Sequence, residues 1–167
     1  QQEIIVDNSI HNLENKWTLW AHLPHDIDWS LSSYKEISTF ETVEDALSVI
    51  ENMPEILVKN CMLFLMREGI NPIWEDEKNR NGGCFSYKIN SKNVSSTWKN
   101  LSYILMGETL TPEDISSSVN GITISPKKSF CIIKIWFSNC DNNKPDIITE
   151  VDGLTNIGCL FKKHIEG

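Results

Sequence analysis

Two tryptophans sit where a side chain could meet a ligand. Trp29 falls in the polar stretch His25-Asp26-Ile27-Asp28-Trp29-Ser30, and Trp74 follows Asn71-Pro72 and precedes Glu75-Asp76-Glu77-Lys78, so both are expected on loops. A large indole on a loop either plugs the edge of the core or offers a flat face to a planar ligand. The carboxylates after Trp74 are equally two-sided: a solvated acidic loop, or acid and base acting on a sugar or nucleotide beside an aromatic platform. Adjacent carboxylates on one loop cannot flank a scissile bond from two sides, which weighs against hydrolysis by Glu75, Asp76 and Glu77. Trp17, Trp20, Trp98 and Trp136 lie inside periodic elements and read as core or sheet-face aromatics. His22-Leu23-Pro24-His25 offers two imidazoles without a cysteine or carboxylate at ligand spacing, so no metal and no cofactor are assigned. Nucleophile motifs, phosphate-cradling glycine loops and dinucleotide fingerprints are absent, and the chain is expected to be no enzyme, with no catalytic residue.

The elements that must hold these residues belong to one domain, 1–167, with 1–10 as a flexible leading segment. A chain of 167 residues buries roughly 70% of its unfolded surface, enough for a core without disulfides or metal. Its 40% hydrophobic and 23% charged residues exclude a disordered chain. Fifteen Lys and Arg against 23 Asp and Glu give a net charge of -8, the wrong sign for gripping nucleic acid mainly through phosphates. Any such partner must be held locally. Five cysteines, an odd number with no CxxC pair, read as reduced thiols of an intracellular protein. The longest apolar runs, 61–66 and 129–137, are too short to span a bilayer, and the opening residues lack the features of a signal peptide, so the expectation is a cytoplasmic protein without membrane contact.

Residues 16–23 alternate, with Trp17, Leu19, Ala21 and Leu23 on one face, as a strand does. Residues 37–40 suggest a second strand. Thr42-x-x-Asp45 approximates a capping box for a helix carrying Val43, Leu47 and Ile50, stopped at Met53-Pro54. Strands are expected at 61–66 and 84–89. A longer helix opens at Ser95 or Ser96 with Trp98, Leu101 and Leu105 inward and ends at Gly107, and Pro112 starts a short one. Residues 121–125 and 130–137 form a hairpin, and 154–165 a closing helix. The fold class is α+β with an antiparallel sheet.

Several landmarks in order carry a resemblance. Trp17-x-x-Trp20, Phe40-x-Thr42-Val43-Glu44-Asp45, Gly69-Ile70-x-Pro72-x-Trp74-Glu75-Asp76-Glu77-Lys78-Asn79, Gly82-Gly83, Gly107-Glu108 and Leu154-Thr155-x-Ile157-Gly158 resemble the eukaryotic cap-binding translation initiation factor 4E family, in a divergent form. The resemblance implies a curved antiparallel sheet with about three helices on its convex face. It further implies a pocket on the concave face for the 7-methylguanosine cap of mRNA. Trp29 and Trp74 match the two sandwiching positions, with one extra residue between Trp29 and Phe40. Glu75 matches the carboxylate that reads guanine, and Trp136 the residue at the added methyl.

The phosphate end departs from the pattern. Lys127 falls on a usual Arg, Ser129 on a frequent Lys, Ile132 on a usual Lys, and Cys84 where an Arg often stands. Lys134 shares a strand face with Ile132 and Trp136 and could supply the missing ammonium, and Lys128, beside Lys127 on the turn, is a further candidate for the phosphates. The family's terminal strand and cap-side loop are expected to be missing. The implied role is a monomeric translation initiation factor that binds capped mRNA, or a cap-sequestering repressor. On the convex face the family receives a Tyr-x-x-x-x-Leu helix from a scaffold initiation factor. There His11-Asn12-Leu13 replaces His-Pro-Leu, Leu47 replaces a Trp, and Lys99 and Tyr103 replace two leucines, with Val43 kept, so a divergent partner or none is expected.

Overall fold

Alternation along the first strand decides which side of the sheet is wet. The computed structural model describes residues 10–165. In β1 (Asn12–His22) Trp17, Leu19 and Ala21 point into the main core, and Trp20 turns to the other face. β2 (Tyr34–Thr42) pairs antiparallel with β1 and runs into α1 (Val43–Glu51), whose start is fixed by Thr42: its Oγ1 accepts the Asp45 N–H at 3.1 Å. The expected cap is therefore present. After Pro54 comes α2 (Glu55–Asn60), then β3 (Met62–Arg67) and β4 (Gly83–Asn90). α3 (Val94–Met106) buries Trp98, Leu101 and Leu105 and ends at Gly107 as its spacing predicts, and α4 (Glu113–Ser116) follows Pro112. β5 (Val119–Pro126) and β6 (Phe130–Phe137) form the hairpin, and β7 (Leu160–Lys163) closes the sheet.

The seven strands lie in the order β2-β1-β3-β5-β6-β4-β7, every pair antiparallel. α1 packs on β2, and α3 on β1 and β5, so the helices cover one face. Under them lies the large cluster around Trp17, Leu65, Phe85, Trp98, Ile135 and Phe137. The opposite face carries a smaller cluster: Phe64, Met66, Ile70, Cys84 and Trp136, with Trp20 at its margin. The sheet is curved, an α+β architecture as the sequence implies, with four helices rather than about three among the described residues. None of them is long and apolar enough to cross a membrane.

Two elements differ from expectation. The six-residue α2 has no counterpart in the elements expected from spacing. The closing helix at 154–165 is not formed: a loop with a Val151–Leu154 bridge leads into β7. Gly153 and Gly158 adopt φ of 93° and 79°, left-handed values that interrupt a right-handed helix on either side of Leu154. β7 then pairs with Gly83–Ser86 of β4, which sends Phe161 against Phe85 in the core, ring centroids 4.9 Å apart. Of the expected leading segment, 1–9 lies outside the described residues.

Candidate functional site

On the face opposite the helices lies a cavity of about 270 Å³. β4 supplies Cys84 and Ser86, β6 supplies Lys134 and Trp136, and the end of β7 supplies Lys162, Lys163 and His164; Trp74 enters from the loop between β3 and β4. Register explains the gathering. Cys84 stands opposite Trp136 on one side and Lys162 on the other, and Ser86 opposite Lys134. Side chains two residues apart share a face, so Lys134 and Trp136 meet the same cavity, as strand parity predicts. Trp136 is both core and wall: 7% exposed, it donates its Nε1–H to Thr123 Oγ1 at 2.7 Å.

Trp74 is held by a loop that satisfies its own backbone. Asn79, fully buried, donates to the carbonyls of Asn71 and Ile73 at 3.0 and 2.9 Å, while its Oδ1 accepts from Asn120 at 2.9 Å. The Asp76 carboxylate accepts the N–H groups of Asn71 and Lys78, both at 2.9 Å. Asp76 is thus occupied in shaping the loop. Among the described residues no hydrogen bond or ion pair engages the Glu75 side chain, and Trp74 is 48% exposed.

His164 closes the cavity floor. Its Nδ1–H donates to the Asn79 carbonyl at 2.6 Å, which leaves Nε2 of the neutral ring to accept the Cys84 thiol at 3.1 Å. Burial, with the Lys134 charge adding to it, holds His164 below its usual range against the opposing pull of the Asn79 carbonyl. Burial likewise pushes the Cys84 thiol up to about 12, with Lys134 opposing.

Trp29 stands apart from that cavity. It lies on the loop between β1 and β2, 55% exposed, and stacks on His22 with centroids 3.9 Å apart and planes 5° from parallel. With Lys127, His25 and Met62 it lines a second cavity of about 230 Å³ at the strand ends. Tyr34 meets Trp29 edge-on at 6.4 Å and lies flat on Phe64 at 5.3 Å. Its phenol is pushed up by burial and then by the Glu75 charge. The structure therefore gathers Trp74, Trp136 and Lys134, sets Trp29 and Lys127 in a neighbouring hollow, and leaves Lys128 on the exposed turn outside both.

Sequence reasoning missed Lys162, Lys163 and His164. The available signal was three consecutive basic residues, hidden because a closing helix would have carried them away from β4. On the helix face, Val43 and Leu47 are exposed, Leu13 is half-buried against the core, and His11 is tied to Glu44, Nδ1 to Oε1 at 2.6 Å. Tyr103 donates its hydroxyl to the Glu51 carboxylate, and Lys99 Nζ lies 3.9 Å from the other Glu51 oxygen, so Glu51 bridges α1 to α3.

Comparison with known proteins follows the same lines. The family model for eukaryotic initiation factor 4E matches residues 12–165. The eukaryotic translation initiation factor 4E of Candida glabrata is 29% identical over 163 residues, 93% of this chain and 72% of that protein. The human protein of that name is 29% identical over 161 residues, 93% of this chain and 70% of that one. Factor 4E-2 of Schizosaccharomyces pombe is 31% identical over 160 residues, covering 92% and 61%. The fold is similar to that of Ascaris suum eIF4E-3 solved with m7G cap, with a TM-score of 0.72 at 24% identity over 83% of this chain and 78% of that one. It is also similar to C. elegans eIF4E-3 solved with the 4E-binding protein Mextli, at 0.71 and 23%, covering 79% and 78%. With landmarks, sheet order and family match in agreement, the chain belongs to the eukaryotic initiation factor 4E family.

Proposed function

We infer that this protein binds the 7-methylguanosine cap of mRNA and works in translation initiation in the cytoplasm, as a binding module without catalysis. The observation that carries the reading is the composition of the 270 Å³ cavity: two indoles beside Lys134, Lys162, Lys163 and His164. Aromatic walls suit a base, and ammonium groups suit the phosphates attached to it. Methylation at the ring nitrogen makes guanine cationic, so stacking on an indole gains cation-π attraction that unmethylated guanine lacks. In this reading Trp74 supplies one platform and Trp29 the other. Glu75 accepts from the ring NH and the exocyclic amino group, a charge-assisted pair that identifies guanine. Trp136 meets the methyl group. The net charge of -8 is no obstacle, because the cations are concentrated at the triphosphate.

The role of Lys127 changes in this arrangement. It stands with Trp29 rather than with Lys134, so Lys134, Lys162 and Lys163 form the main phosphate contacts, and Lys127 guards the Trp29 side. Retention on a 7-methyl-GTP resin, released by 7-methyl-GTP and not by GTP, tests the reading; elution by both equally contradicts it.

A second reading concerns the partner and rests on the Glu51 bridge. Leu47, Lys99 and Tyr103 stand where a receptive apolar surface is expected, and Glu51 holds the last two in polar contacts. This supports a divergent partner, and with it a cap-sequestering role. Hydrolysis by the Glu75-Asp76-Glu77 run finds no such support, since both Asp76 oxygens accept backbone N–H groups.

A further inference from the structure

We propose that His22 is the positioning residue for Trp29, a fixed ring in the sheet that presets the plane of the loop indole on which the cap base stacks. The inference rests on the cap-binding reading and names a residue that reading does not use.

His22 is the last residue of β1, paired with Tyr34 of β2 and Met62 of β3, and only 2% exposed. Trp29, by contrast, sits on a loop whose turns are local: Asp26 accepts the Asp28 N–H and Asp28 the Ser30 N–H, each at 2.9 Å. Those bonds shape the loop without fixing it to the sheet. His22 makes that attachment twice. Its Nε2–H donates to the Asp28 carbonyl at 2.8 Å, directly before Trp29, and its ring lies against the indole at 3.9 Å and 5°. Tyr34 adds a perpendicular edge to both rings, 87° to His22 and 85° to Trp29. One indole face is thereby covered by a buried ring, its tilt is limited by Tyr34, and more than half of the residue remains open to solvent.

A platform held in this way has little rotamer freedom left to lose on binding. Immobilising a free side chain opposes association, and a preset one avoids that loss. Trp29 therefore binds as part of a stack His22–Trp29–base, with the imidazole as the outermost ring. The hydrogen bond and the stack make separable contributions: Phe at position 22 keeps a flat ring and loses the donor, whereas Leu fills volume with neither.

The test uses the full chain carrying 5-fluorotryptophan, with the Trp29 fluorine resonance assigned by Trp29→Phe, and 7-methyl-GTP as probe. His22→Ala is expected to weaken 7-methyl-GTP binding roughly two- to tenfold by freeing the indole, and to shift and broaden the Trp29 resonance. His22→Phe is expected to restore both in part relative to the Leu variant, the share that stays lost belonging to the hydrogen bond to the Asp28 carbonyl. If His22→Ala fails to fold, His22→Leu carries the same expectation. Wild-type affinity and an unmoved Trp29 resonance in a folded Ala or Leu variant overturn the proposal, as does a Phe variant as impaired as the Leu variant. The resonance also separates this inference from the functional reading: a wild-type protein that ignores 7-methyl-GTP defeats cap binding, while the Trp29 signal still reports whether His22 holds the indole.

Discussion

Cys84 and His164, eighty positions apart, meet at 3.1 Å on the floor of the Trp74 cavity. The pairing joins the end of β7 to β4 and explains how the last basic residues of the described chain reach the site. It also makes His164 a pH-sensitive fastener. Its folded value lies below the ordinary 6.5 because burial disfavours the charged ring. Above that ordinary value both folded and unfolded chains carry it neutral, and it costs nothing. As pH falls through 6.5 the unfolded chain takes up a proton that the fold resists, so stability declines until the lowered folded value is passed. Thermal melts of wild type and His164→Gln between pH 8 and 5 check this: the wild type is expected to lose more melting temperature below pH 6.5 than the variant. Parallel curves would show that His164 does not set the acid limit of the fold.

The cavity lysines make a prediction in salt. Lys134→Ala and Lys162→Ala are each expected to weaken binding of a cap triphosphate several-fold and to flatten the slope of log K against log salt, because each removes a charge contact that salt screens. Lys128→Ala, outside both cavities, should leave affinity and slope within error. A Lys128 effect equal to that of Lys134 in isothermal titration would contradict the cavity assignment.

Glu75 and Asp76 separate binding from folding. Glu75→Gln places an amide donor against guanine's own donors and is expected to lower affinity without moving the melting temperature. Asp76→Asn offers NH₂ to one of two backbone N–H groups that now meet acceptors, and is expected to lower loop or global stability by about 1 kcal/mol or more. Equal binding losses with equal melting temperatures would show that the acidic run acts only through its field.

On the helix face, a Tyr-x-x-x-x-Leu peptide titrated into the cap-bound protein is expected to bind weakly. Truncating a buried aromatic anchor commonly costs about 2 kcal/mol or more, the Trp position is occupied here by Leu47, and Lys99 and Tyr103 are engaged with Glu51. Leu47→Trp combined with Lys99→Leu and Tyr103→Leu should restore binding. Tight binding to the unaltered chain would overturn the idea of a divergent partner.

Where a local rule decides, the sequence is readable. Thr42 caps α1 because its hydroxyl needs only a neighbouring N–H, and Lys134 shares a face with Trp136 because strand parity needs no tertiary information. β7 is different. Leu154, Ile157, Phe161 and Ile165 have helical spacing, but Gly153 and Gly158 take left-handed conformations and the open edge of β4, far away in sequence, selects the extended form. Missing that pairing hid Lys162, Lys163 and His164 and made the Trp74 cavity look poorer in cations than it is. Trp29 is intermediate: its loop position is legible from Asp26, Asp28 and Ser30, but its packing on His22 depends on where β1 ends against β2.

If the Trp74 cavity and the Trp29 loop together recognise a cationic guanine, both indoles must report it. The measurement is tryptophan fluorescence titration with 7-methyl-GTP and with GTP, on wild type and on Trp29→Ala and Trp74→Ala. The expected result is quenching by the methylated ligand, a preference over GTP of roughly tenfold or more from the added cation-π attraction, and losses of about 1–3 kcal/mol in each variant. Equal affinity for both ligands, or folded variants that bind as the wild type does, would contradict recognition of a methylated base by this pair.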